Sequence, residues 1–211
     1  NLLGHVITRT RKRDIQSERP SRNVNREAIK MTIMEKEFYS NVTDSIRNYA
    51  KENEIVTGFL LAQFQRQVAS CPAATFKNWT NQRFENTEDI NEEITEKEKI
   101  SLKGYIYSQL NTDISYDELY KNDSKFNALK DLLIKFKKNS KGKKLIIFTS
   151  FRATAKYLKE RLGKIKIDSM LLWGSMERPK QEYINEFKVN KQTALISTEV
   201  ASEGVDLQFC N

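Results

Sequence analysis

Apolar residues recur along this chain in two rhythms, and the change between them falls near Asn139 to Lys144. Before it they follow helical spacing: Leu60, Phe64 and Val68 repeat every four residues, and Phe126, Leu129, Leu133 and Phe136 are separated by three, four and three. Such spacing lines one face of a helix and predicts amphipathic helices in both places. Further helices are expected over Glu35 to Ala50 and Ile94 to Leu110, with Gly58 and Gly104 weakening their neighbourhoods. Asp123 or Ser124 is placed to cap the helix that carries Phe126, and Gly142 punctuates its exit.

After the change, short β-forming runs alternate with helical stretches. Lys144-Leu145-Ile146-Ile147-Phe148 reads as a buried strand, and Ala155, Leu158 and Leu162 then share a helical face that ends at Gly163. The unit recurs. Ile167 to Trp173 is the second strand, Gly174 and Ser175 a turn, and Glu177 to Phe187 a helix with Tyr183, Ile184 and Phe187 inward and Pro179 in its first turn. Thr193 to Ser197 is a third strand. Strand, helix and strand in succession require right-handed crossovers, so the expected fold is α/β, a parallel sheet with helices on both faces, preceded by a mainly helical region. Ligands of such sheets sit where the carboxyl ends of the strands open into loops.

Composition narrows the classes. The 211 residues are 38% hydrophobic and 30% charged, and the longest apolar runs are far below the ~18 residues a membrane-spanning helix needs. Cys71, Cys210 and the single His5 supply neither a disulfide framework nor zinc-ligand spacing, which points to a reducing, intracellular setting. The chain opens on Asn1 and a basic run with no apolar signal core, and reads as an excised piece. Its net charge of +8 is clustered: eight basic and three acidic residues in 1–30, nine and two in 121–144, with seven acidic and two basic residues in 85–99 between them. Basic clusters of this kind suit a polyanion, though Lys-rich helix faces are also ordinary solvated surface.

The candidate chemistry lies at the strand ends. Thr149-Ser150 and Ser197-Thr198 follow two strands and Gly174-Ser175 the other, and hydroxyls with free amides at such positions suit phosphate oxygens. Each pair alone is equally an ordinary helix cap. The run from Ser197 to Gln208 is more specific, because Gly204 permits a close backbone approach and Asp206 can accept from a ribose or cap a local turn. Trp79 and Trp173 read as packing residues, the latter inside its strand, and His5 as structural.

Several of these segments, in order, resemble the second RecA-like lobe of superfamily-two helicases and translocases, most closely the Swi/Snf type and its bacterial RapA-like branch. Lys144 to Phe151 looks like motif IV, Gly174-Ser175 with the helix ending at Phe187 like the next block, and Ser197 to Gln208 like motif V. Upstream, Ile7 to Ile15 resembles the segment leaving lobe one, Glu37-Phe38-Tyr39 its following helix, and Asp123-Ser124-Lys125-Phe126 the entry to lobe two. The resemblance implies an exit segment over 1–30, a helical insertion over 31–122 and a second motor lobe over 123–211, truncated before its last motif. It implies nucleic-acid contacts from Thr149, Ser150, Arg152, Gly174, Ser175, Ser197 and Thr198, and an ATP interface at Glu203, Gly204 and Asp206. ATP and Mg would bind mainly through lobe one, and no catalytic or metal residue is expected in this chain. Double-stranded DNA is the implied partner, with RNA polymerase or other DNA-bound proteins as further candidates and no membrane. The implied location is the bacterial cytoplasm, associated with the nucleoid.

The departures matter as much. No G-x-x-x-x-G-K-[S/T] run occurs, and Ser140-Lys141-Gly142-Lys143-Lys144 precedes its strand where a phosphate loop would follow one. Seven residues before Phe187, where the family usually has arginine, stands Lys180; Arg178 is a substitute of different position. Two alternatives stay open: a helicase of another superfamily-two branch, acting on RNA or DNA, and a non-catalytic nucleic-acid-binding module. The long helical stretch between Glu35 and Lys138 weighs against a simple helicase, which needs only a short linker there.

Overall fold

The computed structural model describes residues 24–54, 57–80, 96–110, 113–140, 142–174, 176–198, 207 and 209–210, with the backbone course alone at 57, 59–60 and 96–101. The helical part comprises α1 (Ile33–Glu52), α2 (Thr57–Ser70), α3 (Pro72–Thr80), α4 (Glu96–Gln109) and α5 (Tyr116–Lys121). Then come α6 (Ser124–Asn139), β1 (Leu145–Thr149), α7 (Arg152–Lys164), β2 (Ser169–Leu172), α8 (Lys180–Val189) and β3 (Ala194–Thr198).

Local chemistry fixes where α1 and α6 begin. Thr32 accepts from the Glu35 amide at 3.3 Å while a Glu35 oxygen accepts from the Thr32 amide at 2.7 Å, a reciprocal cap on α1. The other Glu35 oxygen accepts from the Ser124 amide at 2.9 Å, so one buried carboxylate ties the starts of α1 and α6 together. Asp123, of the two expected caps, is the one that serves, accepting from the Phe126 amide at 2.7 Å. Gly142 takes the left-handed conformation, φ 77°, at the exit from α6.

The three strands are parallel in the order β1-β3-β2, with Leu145 opposite Ala194 and Ser169 opposite the same residue from the other side. Alternation along β3 sends Ala194 and Ile196 into one core and Leu195 into the other. The first core runs without a break from Phe38, Val42 and Ile46 of α1 through Trp79 of α3 to Leu158 and Leu162 of α7. The second holds Leu172, Ile184 and Phe187, with Phe209 half-covered against it. Helices therefore cover both sheet faces, the α/β arrangement expected from the alternation of elements.

Four expectations need correction. Among the described strands β1 lies at the sheet's edge, so it is not buried throughout: Ile146 and Ile147 are half-covered and Phe148 is 53% exposed. The second strand is shorter than Ile167 to Trp173, because Ile167 closes the end of α7 by donating to the Leu162 carbonyl at 3.0 Å. Gly163 lies inside the last turn of α7, and the left-handed position that follows is Lys166, φ 58°. The last helix begins at Lys180 and not at Glu177, with Pro179 as its N-cap at φ −54° and ψ 138°.

Candidate nucleic-acid interface

The carboxyl ends of the strands finish level with one another. Thr149 lies directly opposite Thr198, and Leu172 opposite Ser197, so the loops after β1 and β2 open beside the end of β3. Parallel pairing of equal register produces this: once Leu145 is set against Ala194, the hydroxyl residues four positions on must meet.

Around this edge Thr149 and Ser150 are half-buried, and the Thr149 hydroxyl accepts a long 3.4 Å hydrogen bond from the Phe151 amide. Phe151 is the N-cap of α7 and its side chain gives the helix no cap hydrogen bond. Arg152 opens the helix. Thr198 is 5% exposed, and among the described residues its hydroxyl has no hydrogen-bond partner. Ser197 differs from the expectation of a phosphate contact: it is wholly buried, and its hydroxyl donates to the Thr198 carbonyl at 3.1 Å. Gly174 is half-buried beyond β2. Ser175, Glu203, Gly204 and Asp206 lie outside the described residues, as do 1–23 with the Ile7 to Ile15 segment and His5.

Trp173 lies one position past β2, not within it, and is half-buried. Arg152 and Lys156 of α7 each stand 5.6 Å from its ring centre. The spacing of four from Arg152 to Lys156 is visible in the sequence, but the ring that meets them follows β2. Arg178 is held on the surface of its own segment, with Glu186 at 2.9 Å and the Tyr183 ring at 4.4 Å.

A cavity of about 370 Å³ adjoins Thr149 and Ser150, between α6, α7 and the edge of β1. Its wall includes Asp123 and Cys71, whose thiol is pushed far up from its ordinary range by burial and by the neighbouring Asp123 carboxylate, so it is a poor nucleophile. Among the described residues no group of His, Cys, Asp or Glu is placed to hold a metal ion, and no helix is long and apolar enough to cross a membrane.

Residues 124–211 match the helicase conserved C-terminal domain. The whole chain is 28% identical, over 217 residues, to the uncharacterised ATP-dependent helicase YqhH of Bacillus subtilis (strain 168), of which it spans only about a third, 34%. In structure it is similar to the C-terminal part of the Fun30 ATPase domain, with a TM-score of 0.51 and 16% identity over 88% of this chain and 72% of that one. The helicase domain of Pyrococcus furiosus Hef gives 0.48 and 16% over 84% and 46%. The domain match and the curated relative support a superfamily-two helicase C-terminal lobe for the second half of the chain, and the first likeness supports its RecA-like fold.

Proposed function

We propose that this chain supplies the second motor lobe of a Swi/Snf-type, ATP-driven translocase on double-stranded DNA. In this reading 1–30 is the exit from lobe one, 31–122 a helical insertion and 123–211 the lobe itself. The observation that carries it is the level carboxyl edge of the sheet, where Thr149 faces Thr198 in register beside the start of α7. Hydroxyls, amides and Arg152 together make a surface for successive backbone phosphates, which fixes position on nucleic acid without reading its sequence.

The helical region favours the Swi/Snf branch over a simple helicase, because α1 to α5 pack into the same core as α7 and the sheet and so form part of the motor body. In the full-length protein ATP, with Mg, would lie between the lobes, where Glu203, Gly204 and Asp206 meet its ribose side and lobe one supplies the phosphate and metal ligands. Such a motor would work in the bacterial nucleoid, with RNA polymerase or other DNA-bound proteins in its path.

The test uses the full-length protein: ATP hydrolysis stimulated by duplex DNA, single-stranded DNA and RNA, with displacement of a third strand from a triplex as the measure of translocation. Duplex stimulation and triplex displacement without strand separation are expected. Stimulation by single strands alone, with duplex unwinding, would assign the protein to another branch. Thr149→Ala with Ser150→Ala is expected to weaken duplex binding; affinity equal to the parent's would reduce those hydroxyls to a helix cap.

A further inference from the structure

We propose that Ser70, at the corner between α2 and α3, is a positioning residue for the nucleic-acid edge: through the Thr154 hydroxyl it sets the first turn of α7 and, with it, the Thr149-Ser150 turn. The inference rests on the functional reading above and adds to it a residue of the helical region that acts through the lobe.

The corner is built to hold one shape. Only Cys71 separates the end of α2 at Ser70 from the start of α3 at Pro72. The Gln67 carbonyl accepts from the Cys71 amide at 3.2 Å and from the Thr75 hydroxyl at 2.8 Å, and the Cys71 sulfur accepts from the Ala74 amide at 3.4 Å. Successive residues of this corner then reach across to the lobe. The Ala69 carbonyl accepts from Lys125, the Ser70 and Thr154 hydroxyls share a hydrogen bond of 3.1 Å between residues 84 positions apart, and the Cys71 thiol donates to Asp123 at 3.8 Å.

Of these contacts the hydroxyl pair bears on the edge. Thr154 is 6% exposed and stands about one helical turn after Ser150. In that turn the Ala155 amide donates to the Phe151 carbonyl at 3.0 Å, so a displaced Thr154 carries Phe151 and the residues before it along. Packing does not duplicate the restraint. Ser70, Thr154, Thr149 and Ser150 all line the same cavity of about 370 Å³, and a group beside a void lacks contacts on that side. With the Ser70 hydroxyl gone, the first turn of α7 is free to relax toward that space. Hydroxyls that receive a phosphate tolerate little such movement, because a hydrogen bond weakens steeply as its distance and angle depart from the optimum. The helical region thus fixes beforehand a geometry that binding would otherwise have to impose.

The experiment measures binding of the full-length protein to a short random-sequence DNA duplex by fluorescence anisotropy, with a thermal melt of each variant. Ser70→Ala changes no charge, yet is expected to weaken binding about three- to tenfold, the equivalent of one net hydrogen bond. In a background of Thr149→Ala with Ser150→Ala it should cost nothing more, since the groups it positions are gone. Ser70→Thr restores a hydroxyl and has the cavity to receive its methyl group, so it should bind within about twofold of the parent. If Ser70→Ala melts far below the parent, Thr154→Val, which keeps the side-chain shape and loses the same hydrogen bond, is read in its place with the same expectations. An alanine variant that binds like the parent overturns the proposal. So does an alanine cost of equal size in both backgrounds, or a threonine variant as weak as the alanine one, either of which leaves Ser70 a residue of the corner alone. Parental affinity in Thr149→Ala with Ser150→Ala would instead sink the functional reading itself.

Discussion

Tyr157 of α7 donates its hydroxyl to the Asp123 carboxylate at 2.7 Å, at the entry to the lobe. The same carboxylate caps α6 through the Phe126 amide, and the Cys71 thiol approaches it at 3.8 Å. Arg161 donates in turn to the Tyr157 oxygen at 3.0 Å and to the Tyr120 carbonyl, while its guanidinium lies 3.9 Å from the Tyr120 ring centre and 4.0 Å from that of Phe126. Burial, then the Asp123 charge, raises the Tyr157 phenol well above its ordinary range, so it stays a donor at any pH the fold survives.

This network predicts a large stability effect without an effect on chemistry. Asp123→Ala should destabilise the protein by about 2–4 kcal/mol, since it removes a cap and leaves buried donors unpaired, and Tyr157→Phe by about 1–2 kcal/mol. Urea unfolding measures both. Losses below half a kilocalorie in each would show that α6 and α7 are held together here by apolar packing alone.

Glu160 joins α3 to α7 by pairing with Lys77 at 3.2 Å and with Lys164 at 2.9 Å. The Lys164 hydrogen bond first, then that of Lys77, holds its carboxyl below the ordinary 4.5. A depressed carboxylate contributes stability above the unfolded pKa and loses it as the pH falls through the folded one. Because all three side chains are substantially exposed, Glu160→Gln should cost under about 1 kcal/mol at neutral pH. Thermal melts should show that difference fading as the pH drops below 4.5; a cost that persists in acid would mean the pairing contributes nothing.

Lys166 occupies a left-handed position, φ 58°, that L-residues adopt at a cost. Lys166→Gly should therefore stabilise the protein by about 0.5–1 kcal/mol, the strain relieved less the greater freedom of glycine in the unfolded chain. A lowered melting temperature would show that the lysine side chain outweighs its backbone strain.

In the full-length protein Asp206→Ala should raise KM for ATP about ten- to hundredfold, the equivalent of about 1.5–3 kcal/mol for a hydrogen bond to a charged acceptor. Duplex affinity should be spared. An unchanged KM with a lowered melting temperature would make Asp206 a turn residue.

The 211-residue chain by itself should hydrolyse no ATP, because it contains no G-x-x-x-x-G-K-[S/T] run to cradle the β- and γ-phosphates. Phosphate release stimulated by duplex DNA, above a preparation carrying Asp206→Ala, would refute that division of labour between lobes.

What the sequence determined by itself is what depends on neighbours along the chain. Residues spaced by three and four gave the α6 face from Phe126 to Leu133, the dipeptide Asp123-Ser124 the start of that helix, and the apolar run at Leu145 the first strand. Hydroxyls after two of the strands marked the edge where a ligand would sit. The Thr32-x-x-Glu35 cap of α1 was equally readable, though not the second task of Glu35 at Ser124, 89 positions away. Tertiary structure alone decided the strand order, and with it that Phe148 emerges at an edge, since nothing local tells a strand how many neighbours it will have. It also turned Ser197 inward, left the Thr198 hydroxyl without a partner among the described residues, and brought Trp173 from the loop after β2 against Arg152 and Lys156 of α7. Those outcomes depend on crossover and packing, which act between segments that periodicity describes only one at a time.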